Sequence, residues 1–216
     1  MASTPSSPPR LCPVPVVGII GGIGSGKSAV AKWVADRHPV LVIDADRLGH
    51  QALDLKSLRE QLREAFGDDI FDNAGRVVRS ALGRTVFGES EAQQSARRKL
   101  ESIVHPEIRR AIEQQLRSVD ASTHQYVLLD AAVMLESGWS SVCDKIVFID
   151  TPEDQRRARV LARGWSADEL TRREASQWPL EQKRQAATQV IRNAGSLDDA
   201  GTALWEFLRN LPKVRP

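Results

Sequence analysis

Two cysteines, Cys12 and Cys143, are too few to build a disulfide framework in a chain of 216 residues. No apolar run is long enough to span a bilayer, and no secretory hydrophobic segment is present. Together these absences point to the cytoplasm and away from a membrane. Excess charge is also missing: 30 Lys and Arg against 28 Asp and Glu leave a net +2. Such a balance makes no case for a nucleic-acid partner, and a basic stripe with interleaved aromatics is absent as well. Aromatic residues make up 5% of the chain. Trp33, Trp139, Trp165, Trp178 and Trp205 are dispersed and read as packing residues. No internal repeat is visible.

What remains is ordinary globular composition, 41% hydrophobic and 27% charged. Residues 14–210 suit one domain, with a Ser- and Pro-rich tail over 1–13 and a short tail over 211–216. Within the domain, short β-branched runs alternate with helical patterns, the signature of βαβ units and a parallel sheet. Strands are predicted at Val16–Ile20, Val40–Ile43, Tyr126–Leu129, Lys145–Ile149 and around Val190-Ile191. Helices are predicted at Ser28–Arg37, Leu58–Phe66, Ala92–Ser118, Glu153–Ala162, Asp168–Ser176 and Asp198–Leu208. Thr151 ahead of Pro152 and Glu153 reads as a capping hydroxyl, and Ser166 to Glu169 as a capping box.

One segment carries specific chemistry. Gly21-Gly22-Ile23-Gly24-Ser25-Gly26-Lys27-Ser28 follows the apolar run Val16–Ile20 and opens a predicted helix. This is the G-x-x-x-x-G-K-S/T phosphate loop in its strand-to-helix context. Glycines let consecutive N–H groups turn toward phosphate oxygens, and the helix N-terminus adds partial positive charge. Lys27 can reach the β- and γ-phosphates, and the Ser28 hydroxyl can ligate Mg²⁺. Residues Gly22 to Ala29 are therefore the expected nucleotide contacts, and ATP with Mg²⁺ the expected ligand pair.

Acidic residues sit where the strands end. Asp44 and Asp46 flank Ala45 after the second strand, and alternation along a strand would project both to one side. Phosphoryl transfer to an alcohol needs a carboxylate near the attacking hydroxyl, and Asp46 is the candidate, with Asp44 as helper. A plainer alternative makes one of them a helix cap. Asp130 closes the third strand in the manner of a metal-holding Walker B aspartate, and Glu136 lies six residues on. Arg156, Arg159 and Arg163 share a helical face. Arg159 and Arg163, before Gly164, suit a lid over phosphates; Arg156 and Arg157 read as a solvated face. His105, beside Pro106, reads as a capping or packing residue.

This ordered set resembles the dephospho-coenzyme A kinase family from about Val16 to Leu208. The family opening is matched by Gly18 to Ser28, its Asp-Ala-Asp signature by Asp44 to Asp46, and its Gly-x-x-x-Arg-x-x-Leu element by Gly75, Arg79 and Leu82, followed by Val86 and Phe87. Leu100, His105, Pro106 and Ile108 fit a further element, and Gln177, Lys183, Ile191, Asn193 and Gly195 fit the lid and last strand end. The Asp-x-Pro-Leu-Leu-x-Glu element is recognisable at Asp130 to Glu136, with Ala132 for Pro and Val133 and Met134 for the two Leu. Thr188 stands where Asp is frequent, His50 where Arg is common, and the arginine spacing after Gln155 is shifted by one.

The resemblance implies an α/β P-loop kinase: a three-layer parallel-sheet core, a helical acceptor-binding insertion over about 50–122, and a lid over about 156–184. It implies transfer of the ATP γ-phosphoryl group to the ribose 3′-hydroxyl of dephospho-coenzyme A. Lys27, Asp46, Arg159 and Arg163 would form the catalytic set, and Ser28 and Asp130 would hold the metal. Asn193 would lie near the adenine, and Asp46, Arg79, His105 and Glu136 would contact the acceptor. A monomer is expected, an oligomer being the alternative. Shikimate kinase is the nearest rival, since its phosphate loop is also followed by Asp-x-Asp. A GTPase switch is disfavoured, because no Asn-Lys-x-Asp motif occurs.

Overall fold

The computed structural model describes residues 10–88 and 90–212. Five parallel strands form one sheet: β1 (Val16–Gly21), β2 (Val40–Asp44), β3 (Tyr126–Asp130), β4 (Lys145–Asp150) and β5 (Gln189–Arg192). Their order is β2-β3-β1-β4-β5, so the first strand lies at the centre. Every residue of β1 and β3 is buried, as a parallel sheet covered on both faces requires.

Alternation along the strands divides the core in two. Val16, Ile20, Ile43, Val127 and Leu129 face one cluster, which includes Leu48, Leu58, Leu62, Ile108, Ile112 and Leu116. These come from α2 (Ala45–Ala52), α3 (Lys56–Phe66) and α5 (Glu91–Arg117), which follow β2 together with α4 (Arg79–Val86). On the opposite face Val17, Ile19, Leu128, Val147 and Ile149 meet Val30 and Val34 of α1 (Lys27–Ala35) and Leu204 and Leu208 of α9 (Leu197–Arg209). The result is three layers. Helices α1 and α9 approach closely: a methyl group built on Gly201 would lie 2.2 Å from Trp33 Cε3.

Helix α5 shows how pattern overrides punctuation. Its buried residues Val104, Ile108, Ile112 and Leu116 recur every fourth position, and Ser90 caps its start by accepting from the Gln93 N–H. Pro106 lies inside this helix and does not start it. The proline forfeits one backbone hydrogen bond, and the apolar stripe carries the helix through.

Several local expectations are corrected. The composition puts the first tail at residues 1–13, but Cys12 is 3% exposed and Arg10 ion-pairs with Asp144, so residues 10–12 pack against the domain. Residues 1–9 lie outside the described residues. Asp46 is not on the strand: β2 ends at Asp44, whose carboxylate accepts from the Arg47 N–H and caps α2, and Asp46 sits in that helix's first turn. Thr151 does not cap α6 (Glu153–Leu161). Ser166 caps α7 (Ala167–Glu174) with its hydroxyl. The complete capping box occurs instead at Ser196 and Asp199, ahead of α9. A further helix, α8 (Leu180–Ala186), precedes β5.

Candidate active site

The carboxyl ends of the central strands converge. Register pairs Asp44 of β2 with Asp130 of β3, and Asp130 with Ile19 of β1, whose next turn is the phosphate loop. Gly24 and Gly26 take φ of 78° and 85°, the left-handed region that glycine enters without strain. Neither could carry a side chain in any case. A Cβ on Gly24 would lie 2.5 Å from the Arg156 carbonyl oxygen, and one on Gly26 would lie 2.8 Å from Asn193 Nδ2.

The loop is held from outside. The Ser25 carbonyl accepts from Thr151 Oγ1 at 2.8 Å, Asn193 Nδ2 at 2.7 Å and Arg159 Nη1 at 3.2 Å. Arg159 also reaches the Gly24 carbonyl, and Arg156 Nη1 the Ile23 carbonyl at 3.3 Å. With its carbonyls drawn outward, the loop keeps the nest conformation that turns N–H groups to its concave side. Gly26 caps α1 with no side-chain bond, leaving the first-turn N–H groups of that helix for an anion.

Lys27 stands among acids. Its pKa is lowered by burial, with Asp130 and Asp46 opposing and Lys183 and Arg163 adding to the fall. Asp130 is 5% exposed; burial raises its pKa, Lys27 and a hydrogen bond from Ser28 lower it, and Asp46 and Asp44 raise it again. Asp46, in the first turn of α2, is an exposed residue. Desolvation raises its pKa and Asp44 adds to the rise, while Lys27, His50 and the Ala132 N–H pull it down. Lys27 thus faces Asp130 and Asp46, with Asp44 near both acids and Lys183 and Arg163 within reach of the same lysine.

The other predicted residues separate. Arg159 backs the phosphate loop, and exposed Arg163 is near enough for its charge to act on Lys27. Asn193 is 3% exposed and gives its amide to Ser25, so it meets the loop from behind. Arg79 lines a groove of about 300 Å³ with Arg47, His50, Gln51, Leu53, Asp54 and Val77. His105 packs edge-to-face on Trp139 at 5.3 Å, and burial lowers its pKa. The Glu136 carboxylate pairs with Lys183 and accepts from the Trp178 N–H.

Arg156 corrects the expectation of a solvated face. It is 5% exposed, and its guanidinium bridges Ile23 to Glu174 at 2.6 Å. Thr151 and Lys183 were missed as contributors to the site. Nothing local marks a threonine whose hydroxyl closes a contact 126 residues back, whereas a lone lysine in the lid element offered a faint signal.

Comparison with known proteins gives a consistent picture. A family model described as dephospho-CoA kinase matches residues 15–199. The dephospho-CoA kinase of Thermus thermophilus is 37% identical over 198 residues, 91% of each chain. That of Rhodopirellula baltica is 33% identical over 185 residues, covering 86% of this chain and 85% of its own. Among solved structures, one from Thermus thermophilus superposes with a TM-score of 0.75 at 35% identity, covering 92% of this chain and 98% of its own. The shikimate kinase of Acinetobacter baumannii, at 15% identity and a TM-score of 0.52 over 91% of this chain and 94% of its own, shares the fold alone.

The grip on Ser25 generates a prediction. Thr151→Val should lower stability by about 1–2 kcal/mol, the worth of a buried hydrogen bond, read from urea unfolding. The same variant should weaken ATP binding in calorimetry, because the loop loses a restraint. Unchanged values in both measurements would mean Asn193 and Arg159 hold the loop without Thr151.

Proposed function

The chain belongs to the dephospho-CoA kinase family, and on that premise we propose that it transfers the γ-phosphoryl group of ATP to the ribose 3′-hydroxyl of dephospho-coenzyme A, yielding coenzyme A and ADP. The observation that carries this reading is the convergence of Lys27, Asp46 and Asp130 on the phosphate loop. Gly22 to Ala29 cradle the polyphosphate through backbone N–H groups and the start of α1. Lys27 spreads its charge over the β- and γ-phosphates. Asp46 orients the acceptor hydroxyl and takes its proton as the bond to phosphorus forms. Arg159 braces the loop, and Arg163 closes over the transferring group. Most of the rate gain comes from positioning and charge complementarity, since this chemistry asks little covalent work of the protein.

The residues fit a magnesium ion. Ser28 and Asp130 are hard oxygen donors, near enough that the Ser28 hydroxyl lowers the Asp130 pKa, and Asp44 and Asp46 add negative charge beside them. Magnesium keeps several waters and phosphate oxygens of its own, so two protein donors suffice. When bound, it would neutralise part of the polyphosphate charge.

The groove beside Asp46 suits the acceptor. Arg47 and Arg79 set two guanidinium groups against one carboxylate, Asp54, in its lining, a balance that suits the diphosphate of dephospho-coenzyme A. His105, packed on Trp139, is not among the residues that line this groove. We assign the helices between β2 and β3 to acceptor binding and the segment from α6 to α8 to the lid. Among the described residues no helix is long and apolar enough to cross a membrane. We place the enzyme in the cytoplasm as a monomer.

Mass spectrometry of a reaction with Mg·ATP and dephospho-coenzyme A tests the assignment directly. A product heavier by one phosphoryl group, absent with Lys27→Ala, is the expected result. No product from a protein that still binds ATP would overturn the choice of acceptor.

Asp46→Asn should lower turnover by about 10²–10⁴-fold, as for loss of a general base. It should also raise the melting temperature of the unliganded protein. The sign follows from linkage: a carboxyl whose pKa is raised by folding destabilises the folded state at pH values above it, and the amide removes that cost. Near-normal turnover would remove Asp46 from the role, and a lowered melting temperature would contradict the charge argument.

Arg79→Ala should raise the KM for dephospho-coenzyme A by about 10–100-fold, the worth of a charge-assisted hydrogen bond. The KM for ATP should hold. Steady-state kinetics in each substrate distinguishes this from a general loss of folding.

A further inference from the structure

Lys183, on α8, has a side chain only 1% exposed. Burying an ammonium costs several kcal/mol unless it is fully paired, and here the pairing is complete. Its Nζ donates to the Ala132 carbonyl at 3.0 Å and to Gln177 Oε1 at 2.9 Å, and meets Glu136 Oε1 at 2.9 Å. Three donors thus find three acceptors. Glu136 Oε1 also accepts from the Trp178 N–H at 2.8 Å, while its Oε2 is buried without a partner among the described residues.

These contacts join two segments that nothing local would hold together. Gln177 and Trp178 lie in the link between α7 and α8, at the foot of the proposed lid. Ala132 and Glu136 lie in the loop after β3, whose last residue Asp130 pairs in register with Asp44 at the cap of α2, so that the Ala132 N–H is near enough to act on the Asp46 carboxylate. A methionine of similar length would fill the same volume at less electrostatic cost. It could not fix both segments at once.

We propose that Lys183 is a positioning residue for phosphoryl transfer: its ammonium clamps Ala132 to the foot of the lid and so sets the placement of Asp46. The inference rests on the assignment of Asp46 as the base. Lid and base are then adjusted together, because both hang on one buried charge. Lys183 is also close enough to act on Lys27 by its charge, so a test must separate placement from a long-range effect on the phosphates.

A double-mutant cycle does so. Lys183→Met should lower kcat by about 10–100-fold, the scale of an ångström-level misplacement. The KM for ATP and for dephospho-coenzyme A should stay within about threefold. On an Asp46→Ala background, where no carboxylate remains to be placed, the same substitution should cost less than about threefold. Leu204→Ala, a core change on α9 away from this network, serves as the control for lost stability.

An equal loss of kcat on both backgrounds overturns the proposal, and so does a raised KM for ATP with kcat preserved, which would assign Lys183 to the phosphates. A kcat loss in Leu204→Ala as large as in Lys183→Met, at equal melting temperature, would reduce Lys183 to a structural role. Should Lys183→Met fail to fold, Lys183→Gln, which removes the charge but keeps polar donors, is read on the same criteria. If Asp46→Ala leaves turnover normal, the base assignment itself fails, and the proposal with it.

Discussion

The carbonyl oxygen of Ser25 accepts three hydrogen bonds, from Thr151, Asn193 and Arg159. The donors stand after β4, after β5 and on α6, so three separate parts of the chain meet at one backbone atom. A phosphate loop needs its N–H groups on one side and its carbonyls on the other, a conformation that glycine permits but does not impose. The outward pull on Ser25 imposes it. Because Asn193 and Thr151 belong to the carboxyl edge of the sheet, the loop conformation depends on correct strand order, and nucleotide binding becomes a property of the whole core.

Around that loop the charges are arranged against stability. Asp46 and Asp130 have their pKa values raised by burial, and Lys27 has its own lowered for the same reason. Each group would be more comfortable in water. Their collection in one crevice costs folding free energy, as perturbed groups gathered at a functional site do. The surrounding structure makes this tolerable: β1 and β3 are buried along their whole length, and two apolar layers enclose them.

Much of the fold was legible in the residues. All the strands were placed to within a residue or two, because parallel strands buried on both faces leave dense β-branched runs. The phosphate loop was unmistakable, since glycine, lysine and serine at fixed spacing answer one chemical demand. Helices α4 and α8 were not placed, because each is at most eight residues long and no side-chain cap marks its start, whereas α7, equally short, was betrayed by Ser166, and α2 was anticipated only in the alternative that made an aspartate its cap. Asp46 was assigned the right neighbourhood for the wrong reason: it reaches the loop from a helix whose cap is Asp44, not by strand alternation.

What the sequence by itself determined was the kind of chemistry and the order of elements that supports it. Local spacing carries both, since turn conformation, helix initiation and strand burial act over a few residues. Only the tertiary structure decided which polar groups face one another. Arg156 read as a solvated cation and is buried beneath the loop, bound to Glu174 and Ile23. Glu136 read as a substrate contact and is tied to Lys183 and Trp178. A long side chain takes its partner from whatever the fold brings within reach, and for Arg156, Thr151 and Lys183 partners lie 133, 126 and 51 residues away.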